Sequence, residues 1–152
     1  MAYLRVEICE GAFDPAALQD ELLQGQCEEG GVVTFTGYVR AENKSRDVHT
    51  LMLEHYPGMT EKSIHGILEE AAQRWPLHAA IAVHRIGSLA PGEGIVWVGA
   101  SSAHREAAFA ASEFIMDYLK TRAPFWKKEL GTEGEHWVDA RTSDEERASR
   151  WR

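Results

Sequence analysis

The chain has 152 residues, 44% of them hydrophobic and 26% charged, with 24 acidic against 16 basic side chains and a formal net charge of -8. That length and composition support one soluble domain with a substantial core, and no run approaches the ~20 apolar residues that cross a bilayer. The acidic balance argues against a general nucleic-acid binder, whose affinity for a phosphate backbone needs a broad Lys/Arg surface.

Tyr3 to Cys9 alternates like a short strand, and Asp14-Pro15 opens a helix to about Gln24 with proline in a tolerated first-turn position. Gly31 to Val39 is β-branched and aromatic, which predicts a buried strand ending at Arg40. The polar segment Ala41 to Asp47 lacks large apolar residues and is expected to be a mobile loop, with a strand resuming from Val48 to Tyr56. Beyond the Pro57-Gly58 turn, Thr60 is placed to cap a helix to about Trp75, whose Ile64, Ile67, Leu68, Ala71 and Ala72 form an apolar stripe. Ala80 to Leu89 and Ile95 to Ala100 are strand-like runs separated by the turn residues Ala90-Pro91-Gly92-Glu93-Gly94. Ser101 and Ser102 then start a long helix whose body, Ala103 to Thr121, sets Ala107, Ala111, Phe114, Ile115, Tyr118 and Leu119 at helical spacing. Pro124 forces an exit. Phe125 to Glu129 and His136 to Ala140 predict a small hairpin subdomain near 124–141, followed by a polar C-terminal tail. No repeat or linker divides residues 1–152, and the mixture of helices with antiparallel pairings points to an α+β class.

Cys9 and Cys27 make no disulfide framework and fall in no metal-ligand spacing, the other histidines are scattered, and the glycines match neither a Walker loop nor a dinucleotide fingerprint. No metal or nucleotide site is expected. The opening residues carry no apolar run with a basic lead, so a reducing, cytoplasmic setting is expected.

Three places break local expectation. His104 and Arg105 stand in the first turn of the long helix, where the macrodipole disfavours cations; solvated side chains would explain them, and so would an anion held by the free N–H groups. Lys120 closes the same helix, where a cation favours the dipole and needs no functional explanation. Its interest comes from Lys127, because the break at Pro124 lets two lysines that would stand about 10 Å apart along a continuous helix converge instead. Strand alternation sends Lys127 and Lys128 to opposite faces, which leaves Lys128, like Arg122, facing solvent. Arg40, directly after an apolar strand, is the third; strand ends deliver functional side chains to clefts, although a lone arginine there is more often a surface residue.

In order along the chain, the blocks 31–40 (GVVTFTGYVR), 53–59 (LEHYPGM), 84–87 (HRIG), 101–105 (SSAHR) and 117–128 (DYLKTRAPFWKK) together resemble the large, catalytic subunit of molybdopterin synthase. The resemblance spans roughly residues 30 to 141. It implies an α/β hammerhead-type fold with an additional small antiparallel sheet, a homodimer within a heterotetramer, and a ubiquitin-like sulfur-carrier small subunit at each end. It further implies a sulfurtransferase that converts cyclic pyranopterin monophosphate into dithiolene-bearing molybdopterin, with no resident cofactor and no nucleic-acid or membrane partner. Carried over by position, substrate-binding residues fall on Tyr38, Val39, Arg40, His104, Arg105, Lys120, Lys127, Lys128 and Glu129. Lys120 is then the principal catalytic amine, as general acid/base or transient acyl acceptor, with Lys127 assisting. Arg40, His104 and Arg105 hold the phosphate.

The final residues, Ser149 to Arg152, are no Gly-Gly tail, so sulfur is expected on a partner's C-terminus. His104 and Arg105 stand a whole helix, roughly 25 Å, from Lys120, which favours a site shared across a dimer. Two competing functions share parts of this reading. A non-catalytic scaffold docking a ubiquitin-like tail would ignore the pterin, and an acyl-transfer enzyme for another phosphorylated substrate would share the pocket without the ordered blocks.

Overall fold

The structure, a computed structural model, describes residues 1–138 and 142–152. A four-stranded sheet is built from β1 (Tyr3–Cys9), β6 (Leu77–Arg85), β8 (Gly94–Ser102) and β2 (Gly31–Tyr38), in that spatial order. β1 lies parallel to β6, and the β6–β8 and β8–β2 pairs are antiparallel. Because side chains alternate along a strand, β6 sends Ala79, Ile81 and Val83 to one face and Ala80, Ala82 and His84 to the other. The first face is covered by α1 (Pro15–Leu22), whose buried Leu18 and Leu22 pack with those residues and Trp97. Asp14 caps α1, its Oδ1 accepting from the backbone N–H of Ala16 at 3.1 Å, and Pro15 occupies the first turn.

The opposite face carries α2 (Met59–Arg74) and α3 (Arg105–Thr121). Their predicted stripes supply the core: Ile64, Ile67, Leu68 and Ala71 from α2, and Ala107, Ala111, Phe114, Ile115, Tyr118 and Leu119 from α3, are all buried. Each fully buried Leu, Ile or Phe stabilises the fold by about 1.5–3 kcal/mol before entropy. α3 starts later than the sequence suggests. Ser101 and Ser102 belong to β8, and their hydroxyls donate to the carbonyls of Leu22 at 3.0 Å and Pro76 at 2.7 Å instead of capping a helix. Thr60 likewise lies inside α2, where its Oγ1 accepts from Tyr56 N–H and donates to the Pro124 carbonyl at 3.1 Å, tying the helix to the chain beyond α3.

A second sheet, in the order β10 (Gly134–Trp137), β9 (Phe125–Gly131), β5 (Thr50–His55) and β7 (Gly87–Leu89), is antiparallel throughout. It is the additional small sheet of an α+β hammerhead-type fold. The expected single run from Ala80 to Leu89 is split at Ile86, and Gly87, with φ of 91°, turns the chain out of the first sheet and into the second. The segment expected as a mobile loop forms a tight hairpin, β3 (Glu42–Asn43) with β4 (Arg46–Asp47), turned by Lys44 and Ser45 at positive φ. A Cβ at Gly131 would come within 1.9 Å of the Asp47 carbonyl oxygen, so the glycine lets this hairpin lie close on β9. The polar C-terminal tail contains a helix, α4 (Thr142–Ser149), which packs on α3 through Ala148. Beyond it, Trp151 meets Trp75 and Phe114 edge-on. The predicted strand end at Asp139 and Ala140 lies outside the described residues.

Candidate active site

The two sheets, the C-terminal end of α3 and α4 enclose a cavity of about 700 Å³. β2 delivers Tyr38, Val39 and Arg40 to it. The β2–β8 register shifts between Gly37 and Tyr38, and a bulge of this kind re-aims the strand end. Val39 is buried with Leu51, Leu53 and Leu89 and fixes the backbone there, while Tyr38 and Arg40 are exposed at the mouth. Lys120 reaches the cavity from the last turn of α3. Past Pro124, β9 presents Phe125, Lys127 and Glu129 to the same space. The two lysines are thus brought together. Five cations, Arg40, Lys44, Lys120, Lys127 and Arg147, line the cavity against three carboxylates, Glu42, Glu129 and Asp144, in a chain that is strongly acidic overall. The surplus of positive charge suits an anionic substrate.

Glu129 is occupied structurally. It is buried, and its carboxylate accepts from Asn43 Nδ2 at 2.8 Å and from Arg46 at 3.3 Å, locking the β3–β4 hairpin onto β9. Lys128 lies on the other face, paired with Glu135 at 2.8 Å and set over the Trp137 ring, and does not line the cavity. His104 and Arg105 do not line it either. Both are exposed at the N-terminal end of α3, about 25 Å from Lys120 along 17 residues of helix, and His104 caps that helix without a side-chain hydrogen bond.

The histidine that does line the cavity is His84, on β6. Its ring is stacked on Phe125 with centroids 3.8 Å apart, and Nδ1 stands 2.8 Å from the Arg85 carbonyl oxygen. Burial, reinforced by the charges of Lys127, Lys120 and His55, pulls its pKa down to about 3, so it is neutral at physiological pH. Both described cysteines lie elsewhere. Cys27 is exposed, and burial pushes the Cys9 thiol up, away from an activated thiolate. Among the described residues no three His, Cys, Asp or Glu side chains gather as metal ligands, and no helix is long and apolar enough to cross a membrane.

The sequence profile of the MoaE protein family matches residues 8–122, three quarters of the chain. The chain belongs to the MoaE protein family. Among its relatives, the molybdopterin synthase catalytic subunit of Escherichia coli is 60% identical over 124 residues, covering 82% of this chain and 83% of the relative. The molybdopterin biosynthesis MoaE protein of Burkholderia ambifaria superposes with a TM-score of 0.82 at 45% identity, covering 99% and 98% of the two chains. At 20% identity, a chain from the complex of subunits 1 and 2 of the Helicobacter pylori molybdopterin-converting factor shares the fold, with a TM-score of 0.73 over 90% of this chain and 91% of its own. Within this MoaE family chain, His84, the β3–β4 hairpin residues Glu42 and Lys44 and the α4 residues Asp144 and Arg147 are titratable cavity residues that sequence reasoning passed over. For His84 the usable signal was parity with Ala80 and Ala82, which puts it on the face where α3 lies.

Proposed function

We propose that this chain is the catalytic subunit of a molybdopterin synthase, a sulfurtransferase of molybdenum cofactor biosynthesis. It moves sulfur from the thiocarboxylated C-terminus of a ubiquitin-like small subunit to cyclic pyranopterin monophosphate and forms the dithiolene. The observation that carries the reading is the convergence of Lys120, Lys127 and Arg40 on one cavity between the two sheets. An extended peptide terminus and a phosphorylated heterocycle both bring negative charge, and a half-enclosed cationic site strengthens its attraction for each.

In this reading Arg40 pairs with the phosphate through its planar fork. Lys120 acts on the reacting atoms, moving a proton as general acid/base or accepting the acyl group of the partner's tail, and Lys127 assists from β9. Val39 and Tyr38 form the wall for the pterin, Glu129 keeps the β3–β4 hairpin in place, and no resident cofactor is needed. His104 and Arg105 contribute to the site of a second copy in a homodimer, because their own chain leaves them a helix length from its lysines.

Incubation with the thiocarboxylated small subunit and cyclic pyranopterin monophosphate, followed by detection of the dithiolene product, tests the activity. Product formation that depends on both additions is expected. A protein that binds the small subunit but neither binds nor converts the pterin is a docking scaffold instead, and the proposal fails.

A further inference from the structure

His84 is held on two sides. Its ring face rests on Phe125 at 3.8 Å, and its Nδ1 is 2.8 Å from a carbonyl oxygen, which can only accept. Nδ1 therefore carries the ring proton. In a neutral imidazole the other nitrogen, Nε2, is then a bare acceptor. This lone pair belongs to a ring that lines a cavity rich in ammonium and guanidinium groups. The ring's stacking partner, Phe125, lies two residues before Lys127 on the same face of β9, about 7 Å along the strand.

We propose that His84 is a positioning residue for the sulfur-transfer reaction: Nε2 accepts a hydrogen bond from the Lys127 ammonium and fixes that amine in the cavity. The inference rests on the function proposed above. His84 is no proton store, since burial keeps it neutral throughout the working range of pH. The charged groups acting on it are Lys127 on β9, Lys120 on α3 and His55 on β5, while its register neighbours on β1 and β8, Ile8 and Val96, carry none. An acceptor beside an ammonium favours the charged form, so His84 holds Lys127 protonated as well as placed.

The test combines nitrogen NMR with kinetics on the dimer bound to its small subunit. In the unaltered protein, the His84 spectrum should report protonated Nδ1 and bare Nε2 from about pH 5 to 8. His84→Phe keeps the stack on Phe125 and removes the acceptor. It should lower kcat by about 10- to 100-fold, the loss of one hydrogen bond to a charged group. It should also move the Lys127 titration and the alkaline limb of the kcat profile to lower pH. His84→Gln, which returns an acceptor, should recover most of the rate. The opposite tautomer, an unmoved Lys127 titration, or equal losses in both variants with an unchanged pH profile would each overturn the proposal. If His84→Phe does not fold, the tautomer of the unaltered protein and the glutamine variant decide. If the unaltered protein makes no dithiolene, the function is wrong, and the tautomer and the Lys127 titration still judge the local arrangement.

Discussion

The two ends of α3 carry cations of opposite standing. At the C-terminal end Lys120 follows the dipole, sits over the cavity and is joined there by Lys127. At the N-terminal end His104 and Arg105 work against the dipole and stand in the open. A cation that the helix favours and that lines the cavity can serve its own chain. Cations that the helix disfavours and that stand away from the cavity make sense once an anion or a second chain arrives.

The largest effect that would sharpen this contrast is at the cavity end. Lys120→Ala should lower the dithiolene-forming rate by about 10²- to 10⁴-fold, the range for a proton-transferring side chain, while small-subunit binding is retained. A normal rate in a variant that still binds the small subunit would remove Lys120 from the chemistry. At the opposite end, Arg105→Ala should weaken pterin binding about 10- to 100-fold, as should Arg40→Ala, one charged hydrogen bond being lost in each. Calorimetric titration with the pterin measures both. Mixing Lys120→Ala chains with Arg105→Ala chains then breaks or keeps the comparison. If the two ends serve different protomers, each mixed dimer regains one intact site and activity returns on mixing; if each chain is self-sufficient, mixing changes nothing.

A smaller effect concerns stability. The folded-state pKa of His84 is depressed from 6.5 to about 3, so below pH 6.5 the unfolded chain takes up a proton that the native protein refuses. Stability from this group is therefore complete above pH 6.5 and falls as pH drops towards 3, by about 2 kcal/mol between pH 6.5 and 5. Denaturant titrations at those two pH values should show that decrement in the unaltered protein and not in His84→Phe.

Legibility in the sequence followed the same physical divisions. The α3 stripe was readable because its apolar residues repeat at helical period, and Lys127 could be told from Lys128 because strand alternation separates them. The β3–β4 hairpin was not readable, since its side chains are polar and its anchor, Glu129, lies 86 residues beyond Asn43. The β8–α3 boundary was missed because serine hydroxyls suited to capping are used instead on distant carbonyls. His84 escaped because one histidine in an apolar strand forms no motif. Helix α4 escaped because it is almost wholly polar and its docking depends on Ala148 and Trp151.

The seating of that last tryptophan bears on the helix that lines the cavity. Trp151 Nε1 donates to Asp117 Oδ2 at 2.7 Å and Arg150 donates to the same oxygen at 3.0 Å, so one carboxylate latches the chain's final turn. Asp117 precedes Lys120 by three residues, less than one helical turn. Whatever pries Arg150 and Trp151 loose, a fused tag or a docking subunit, therefore tugs on the same coil that carries Lys120 to the cavity.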